Sequence, residues 1–193
     1  MSLQLLIDAL PPYAGDVARG LAALDRETAR SPAPQSSASL APAQLWGCVL
    51  ASAHAVGTPA VLRLAEAGAL EAGLSEVQRE AARGAAAVMA QNNVYFRAIE
   101  LIEDPALEAQ PSRLRMHAVH HPQVPSTDMH LMCLAVSAIN GCGACMKSHT
   151  GALRALGVEP ATQAAAVRVG ALVNAACRVL ASHPPLYGEG QPA

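Results

Sequence analysis

The chain has 193 residues, 52% of them hydrophobic but only 3% aromatic, and a formal net charge of −2. That length suits one domain or two small packed halves, with a core made mainly of Ala, Leu and Val, and a composition so rich in Ala leans all-α. The near-neutral balance, with no run of Lys or Arg, gives no electrostatic basis for nucleic-acid binding. Met1 to Leu10 carries Asp8 and lacks the basic-then-apolar pattern of a signal peptide. The longest charge-free apolar stretch, Leu131 to Met146, is about 16 residues and holds Asn140 and Gly141, too short and too broken for a membrane span. Five cysteines without an export signal read as reduced thiols, which makes a cytoplasmic location the expectation.

In chain order, residues 3–29 read as a helix interrupted near Pro11-Pro12. A loop rich in Ser, Ala and Pro follows at 31–43. Helical patterning resumes at 44–55 and continues at 59–71 and 75–91, the last with Ser75 as N-cap and Gln78 completing a capping-box pattern. Another helix is expected over 93–103, with Asn92-Asn93 ending the one before it. The alternative for this pair is hydrogen bonding around a site. Residues 104–125 are loop-rich, with four prolines. A helix capped by Ser126 then fits 127–139, Asn140-Gly141 breaks it, and a new helix begins at Cys142 and runs to about Leu156. The last helix is 160–182, before Pro184-Pro185 and a tail over 184–193 expected to be flexible. The whole of 1–183 is expected to form a single domain.

Leu45 to Ala53 is similar to Leu131 to Ala138, and residues 72–89 are similar to 156–173. The common offset of about 85 residues suggests a duplicated helical unit, of which only the second copy carries Cys-x-x-Cys.

The most informative stretch is Ser137 to His149. With a helix starting near Cys142, that residue and Cys145 stand at i and i+3, and Cys145 and His149 at i and i+4, so all three share a face. Unsatisfied N–H groups at a helix start lower a thiol pKa. A nearby His can take or return a proton near neutral pH, and two thiols at this spacing can close a disulfide once one is oxidised. Two other readings are open. The cysteines could be small buried hydrophobes, or Cys142, Cys145, His149 and His130 could form a structural metal site. His117, His120 and His121 are a weaker metal candidate, read as exposed loop histidines. Cys48, Cys133 and Cys177 lie in apolar helical patterns and read as core, as does Trp46.

The segment Ser137 to His149 resembles the active-site motif of the AhpD alkyl hydroperoxidases, within the carboxymuconolactone decarboxylase-like superfamily. The resemblance extends to Leu10 to Ala14, Ala43 to Gly47, Leu50 to Ala53, Gly84 to Met89, Asn92 to Arg97 and Leu114 to Met116, and so runs through about residues 40–180. It implies a compact all-α fold with a duplicated helical core, usually a homotrimer. It implies a peroxidase with Cys145 as peroxidatic cysteine, Cys142 as resolving cysteine and His149 as proton relay. Helix position by itself favours Cys142 as the more acidic thiol; the resemblance and the i,i+4 partner His149 favour Cys145. It further implies a peroxide substrate, no tightly bound metal or flavin, and electrons from an external dithiol donor such as lipoyl groups on a partner protein. Two positions depart from the family pattern. His130 stands where a relay glutamate is usual, and Ala144 where a histidine commonly precedes the second cysteine. Asp128 is on a different helix face from His130 and is a poor substitute. The rival functions are a non-redox decarboxylase-like enzyme and a redox-sensing or metal-binding helical module.

Overall fold

In a computed structural model, which describes residues 3–29, 39–119 and 121–182, all regular structure is helical. Helix α1 (Gln4–Asp8) leads through a short 3-10 turn at Pro12–Ala14 into α2 (Gly15–Ala29). The core follows: α3 (Pro42–Val56), α4 (Pro59–Glu71), α5 (Glu76–Ile102), the single turn α6 (Pro105–Glu108), α7 (Ser126–Asn140), α8 (Gly143–Ala155) and α9 (Pro160–Ser182). The expected Ser/Pro-rich loop falls mostly outside the described residues, as does the tail; its last two residues already belong to or adjoin α3.

Local chemistry sets most boundaries. Proline opens α3, α4 and α9, where its missing N–H costs no hydrogen bond. At α5, Ser75 Oγ accepts from Gln78 N–H while Gln78 Oε1 accepts from Ser75 N–H, the reciprocal cap its sequence promised. Helices α3 and α7 both end on a left-handed glycine, Gly57 (φ 84°) and Gly141 (φ 66°), a conformation that a Cβ disfavours. Two boundaries differ from expectation. Ser126 does not cap α7 but is its first residue, after Pro125, and no side chain caps that helix. Asn92-Asn93 does not end a helix: α5 runs unbroken through both, and both side chains are buried.

The duplication is real and its register is 84 residues. Gln44 Nε2 donates to Asp128 Oδ1 at 2.8 Å across that separation, joining equivalent positions of α3 and α7. The same shift carries α3 onto α7, α4 onto α8, and the start of α5 onto the start of α9. It also carries the turn bonds: Leu74 N–H to Ala69 O matches Val158 N–H to Leu153 O, each beside a left-handed glycine, Gly73 and Gly157. Leu45 is therefore equivalent to Met129, two residues before the Leu131 that the sequence likeness suggested.

Four helices, α3, α5, α7 and α9, form the centre, and α7 is buried along most of its length from Met129 to Ser137. Small residues set the close packing there. A Cβ on Gly170 of α9 would lie 2.6 Å from the Ala135 carbonyl oxygen of α7. Helix α9 is long and apolar enough to span a bilayer, yet it carries Arg168 and Arg178 and buries Val169, Val173, Ala176 and Cys177 in the bundle. Trp46, Cys48, Cys133 and Cys177 are core residues as expected, the three cysteines as free thiols.

Candidate active site

The site is built where α7 hands over to α8. Gly141 turns the chain, Cys142 becomes the N-cap of α8, and Cys145 stands one turn in. Their Cα atoms are 5.3 Å apart and the two are joined as a disulfide. The Cys145 N–H points at Cys142 Sγ at 3.3 Å, so an otherwise unsatisfied donor of the helix start is directed at sulfur. Cys142 has no exposed surface. Cys145, 7% exposed, lines a cavity of about 430 Å³, together with Met89, Phe96, Met116, Val119, His130 and His149. The walls are mainly apolar, and polar groups gather around the sulfur.

His149 lies on the same face of α8 as Cys145 and is 8% exposed. Its Nδ1 is 3.1 Å from Nδ1 of His130 on α7, and its Nε2 is 3.4 Å from Met89 Sδ on α5. Between two facing Nδ1 atoms only one can carry a proton if they are to hydrogen-bond. A thioether can only accept, so Nε2 of His149 carries the proton and donates to Met89 Sδ, which leaves His149 Nδ1 to accept from the His130 Nδ1–H. Burial, and then the neighbouring His130, push the His149 pKa down to about 4, so the ring is neutral at pH 7.

Behind this pair runs a buried polar network that periodicity did not reveal. Asn140 donates to Asn93 Oδ1, Asn93 Nδ2 donates to Ser137 Oγ, both at 3.0 Å, and Ser137 Oγ reaches Met89 Sδ at 3.4 Å. Cys145 Sγ faces the Asn92 carbonyl oxygen at 3.9 Å, which a reduced thiol could use as acceptor. The Asn92-Asn93 pair therefore serves hydrogen bonding around the site rather than helix termination. The unusual pair of asparagines in an Ala-rich helix was the available signal. Met89, Phe96 and Met116 fall in segments of the family resemblance, but the sequence does not single them out as site residues.

In the first repeat the equivalent site is filled. The positions equivalent to Cys142, Cys145, His149 and His130 are Thr58, Val61, Ala65 and Trp46. Val61 and Ala65 are buried, and the indole of Trp46 packs so tightly on Gly68 that a Cβ there would collide with it. Apolar side chains close in the first half what His130 leaves open in the second.

Of the other candidates, His117 begins a short 3-10 turn and His121 Nδ1 accepts from Gln123 N–H. His120 lies outside the described residues. Among the described residues, no group of three or more His, Cys, Asp and Glu side chains is gathered as a metal would require.

Comparison with known proteins places this geometry. Residues 105–184 match the model of the carboxymuconolactone decarboxylase family. Over 189 residues the chain is 46% identical to alkyl hydroperoxide reductase AhpD of Caulobacter vibrioides, covering 98% of each. The chain belongs to the AhpD family. Other AhpD relatives include those of Hyphomonas neptunium, 43% identical over 98% of this chain and 99% of the relative, and Maricaulis maris, 42% identical over 94% and 99%. The all-α architecture and its duplicated core agree with that membership.

Proposed function

We propose that this chain is an alkyl hydroperoxide reductase that cycles Cys142 and Cys145 between dithiol and disulfide. The observation that carries the reading is the disulfide itself, with one sulfur on the wall of an apolar cavity and the other sealed behind it. The relatives named as alkyl hydroperoxide reductases support the same activity.

In this cycle the Cys145 thiolate attacks the terminal peroxide oxygen. The O–O bond breaks, sulfur is oxidised to sulfenic acid, and the alkoxide takes a proton and leaves as alcohol. The Cys142 thiol then attacks that sulfenic sulfur, the disulfide forms and water departs. An external dithiol gives two electrons and two protons to restore both thiols and becomes a disulfide itself. Cys145 is the attacking residue because it is the one that meets the cavity, and Cys142 the resolving one because it does not. His149 manages the proton, and His130 holds it in one tautomer. A lipoyl group fits the donor's role, since its dithiol is small enough to reach a nearly sealed bond.

We further assign the chain to one domain over 1–183, to a homotrimer and to the cytoplasm, where reducing conditions return the dithiol. The direct test is hydroperoxide consumption with dihydrolipoamide as donor. Wild type should turn over and Cys145→Ser should not. Equal rates for the two proteins would refute the cycle.

A further inference from the structure

The two residues between the cysteines are both fitted around one carboxylate from another helix. The Ala144 N–H donates to Glu100 Oε2 of α5 at 3.1 Å, and Lys147 Nζ, further along α8, meets Glu100 Oε1 at 3.1 Å. A Cβ on Gly143 would lie 2.8 Å from Oε2 and 2.9 Å from Oε1, so a side chain at 143 would displace Glu100 from the turn. Lys147 and the Ala144 amide hold the Glu100 carboxyl below its usual range, and it is ionised at neutral pH. Glu100 also lines a second groove, with Tyr95, Ile99 and Glu103, that adjoins the active-site cavity at Phe96 and Ala144.

We propose that Glu100 is a positioning residue of the dithiol: it clamps the Cys142–Cys145 turn through the Ala144 N–H and, in balance with Lys147, sets the acidity and redox potential of the two thiols. The physical basis is the sign of each charge at one helix start. The first turn of α8 favours a thiolate through its dipole and through the Cys145 N–H directed at Cys142 Sγ. The Glu100 carboxylate opposes that effect, and the Lys147 ammonium cancels much of the opposition. The other ionisable groups about the turn are His149 on α8, His130 on α7 and Arg97 on α5, with Tyr95, Glu103 and Glu108 along the groove that Glu100 lines. Of these His149 is neutral, and Arg97 donates to the Asn140 carbonyl oxygen at 2.6 Å. A thiolate favoured in this way also stabilises the reduced pair, which makes the disulfide the stronger oxidant.

The proposal rests on the dithiol being the working centre, and its test needs no peroxide. Glu100→Gln, Lys147→Gln and the double variant would be compared with wild type by thiol alkylation rate against pH and by equilibration with the lipoate/dihydrolipoate couple. Circular dichroism would verify the fold of each. Glutamine keeps an acceptor for Ala144 but leaves Lys147 unopposed, so Glu100→Gln should be alkylated about two- to fivefold faster at pH 7 and hold less disulfide at a fixed lipoate ratio. Lys147→Gln should shift both readouts the opposite way, and the double variant should return close to wild type. Unchanged profiles in both single variants, or shifts of the same sign, would overturn the proposal and leave a structural ion pair. Wild type that consumed no hydroperoxide while these shifts held would instead count against the catalytic cycle alone.

Discussion

Nδ1 of His130 and Nδ1 of His149 face each other at 3.1 Å, so two imidazoles share one proton. A carboxylate would favour the protonated ring; an imidazole cannot, because protonating both places two N–H groups head to head. The buried His149 is accordingly neutral through the physiological range.

Stability should therefore depend on pH in a defined window. The folded-state pKa of His149 is pushed down to about 4 from an ordinary value of 6.5. Between those values the unfolded chain binds the proton and the folded chain does not, so stability rises with pH from 4 to about 6.5 and levels off above. A shift of this size corresponds to roughly 2–4 kcal/mol. Urea unfolding of the oxidised protein at pH 4.5 and 7, compared with His149→Gln, measures it; the variant should lose most of this dependence.

Activity should rise toward alkaline pH, because no imidazolium stands beside the Cys145 thiolate at neutrality. Replacing His130 with Glu should hold His149 protonated and lower the Cys145 pKa by about one unit or more. Alkylation rates against pH, each protein carrying Cys142→Ser, compare the two. Coincident curves would make His130 a packing residue only.

The cavity walls predict selectivity for the organic part of the peroxide. Phe96→Ala removes apolar surface from a cavity also lined by Met89, Met116 and Val119. KM for a bulky aromatic hydroperoxide should rise by roughly three- to tenfold, with little effect on hydrogen peroxide, which has no apolar part to bury. Steady-state kinetics on both substrates checks this.

Two glycines make opposite predictions for stability. Gly170→Ala drives a Cβ against the Ala135 carbonyl in the α7–α9 contact and should cost about 1–3 kcal/mol. Gly151→Ala, in exposed α8 with open space around it, should stabilise by up to about 1 kcal/mol through helix propensity. Thermal unfolding of both variants gives the signs directly.

Local signals carried the helices well. The Ser75 capping box and the Asn140-Gly141 break stand where the structure has them, and the i,i+4 spacing of Cys145 and His149 puts both on one face of α8, behind Cys142 at its cap. Asn92-Asn93 misled because asparagine is a weak helix former only while its side chain competes for nearby backbone. Asn93 spends its amide on Ser137 and Asn140 instead, so α5 continues. Met89 and Glu100 were illegible for another reason. Each reaches the site across tens of residues of chain, His149 from Met89 and Ala144 from Glu100, and no periodicity along α5 encodes such a partner. Gly143 was the one local trace, a missing side chain where Glu100 needs room.

In the proposed cycle Cys145 meets the peroxide and Cys142 resolves it. Reduced Cys142→Ser and Cys145→Ser proteins, each given one equivalent of an organic hydroperoxide with dimedone present, test it by peptide mass spectrometry. A sulfenic-acid adduct should form on Cys145 in the first protein, and little or none on Cys142 in the second. An adduct forming readily on Cys142 in the second, with Cys145 unmodified in the first, would contradict it.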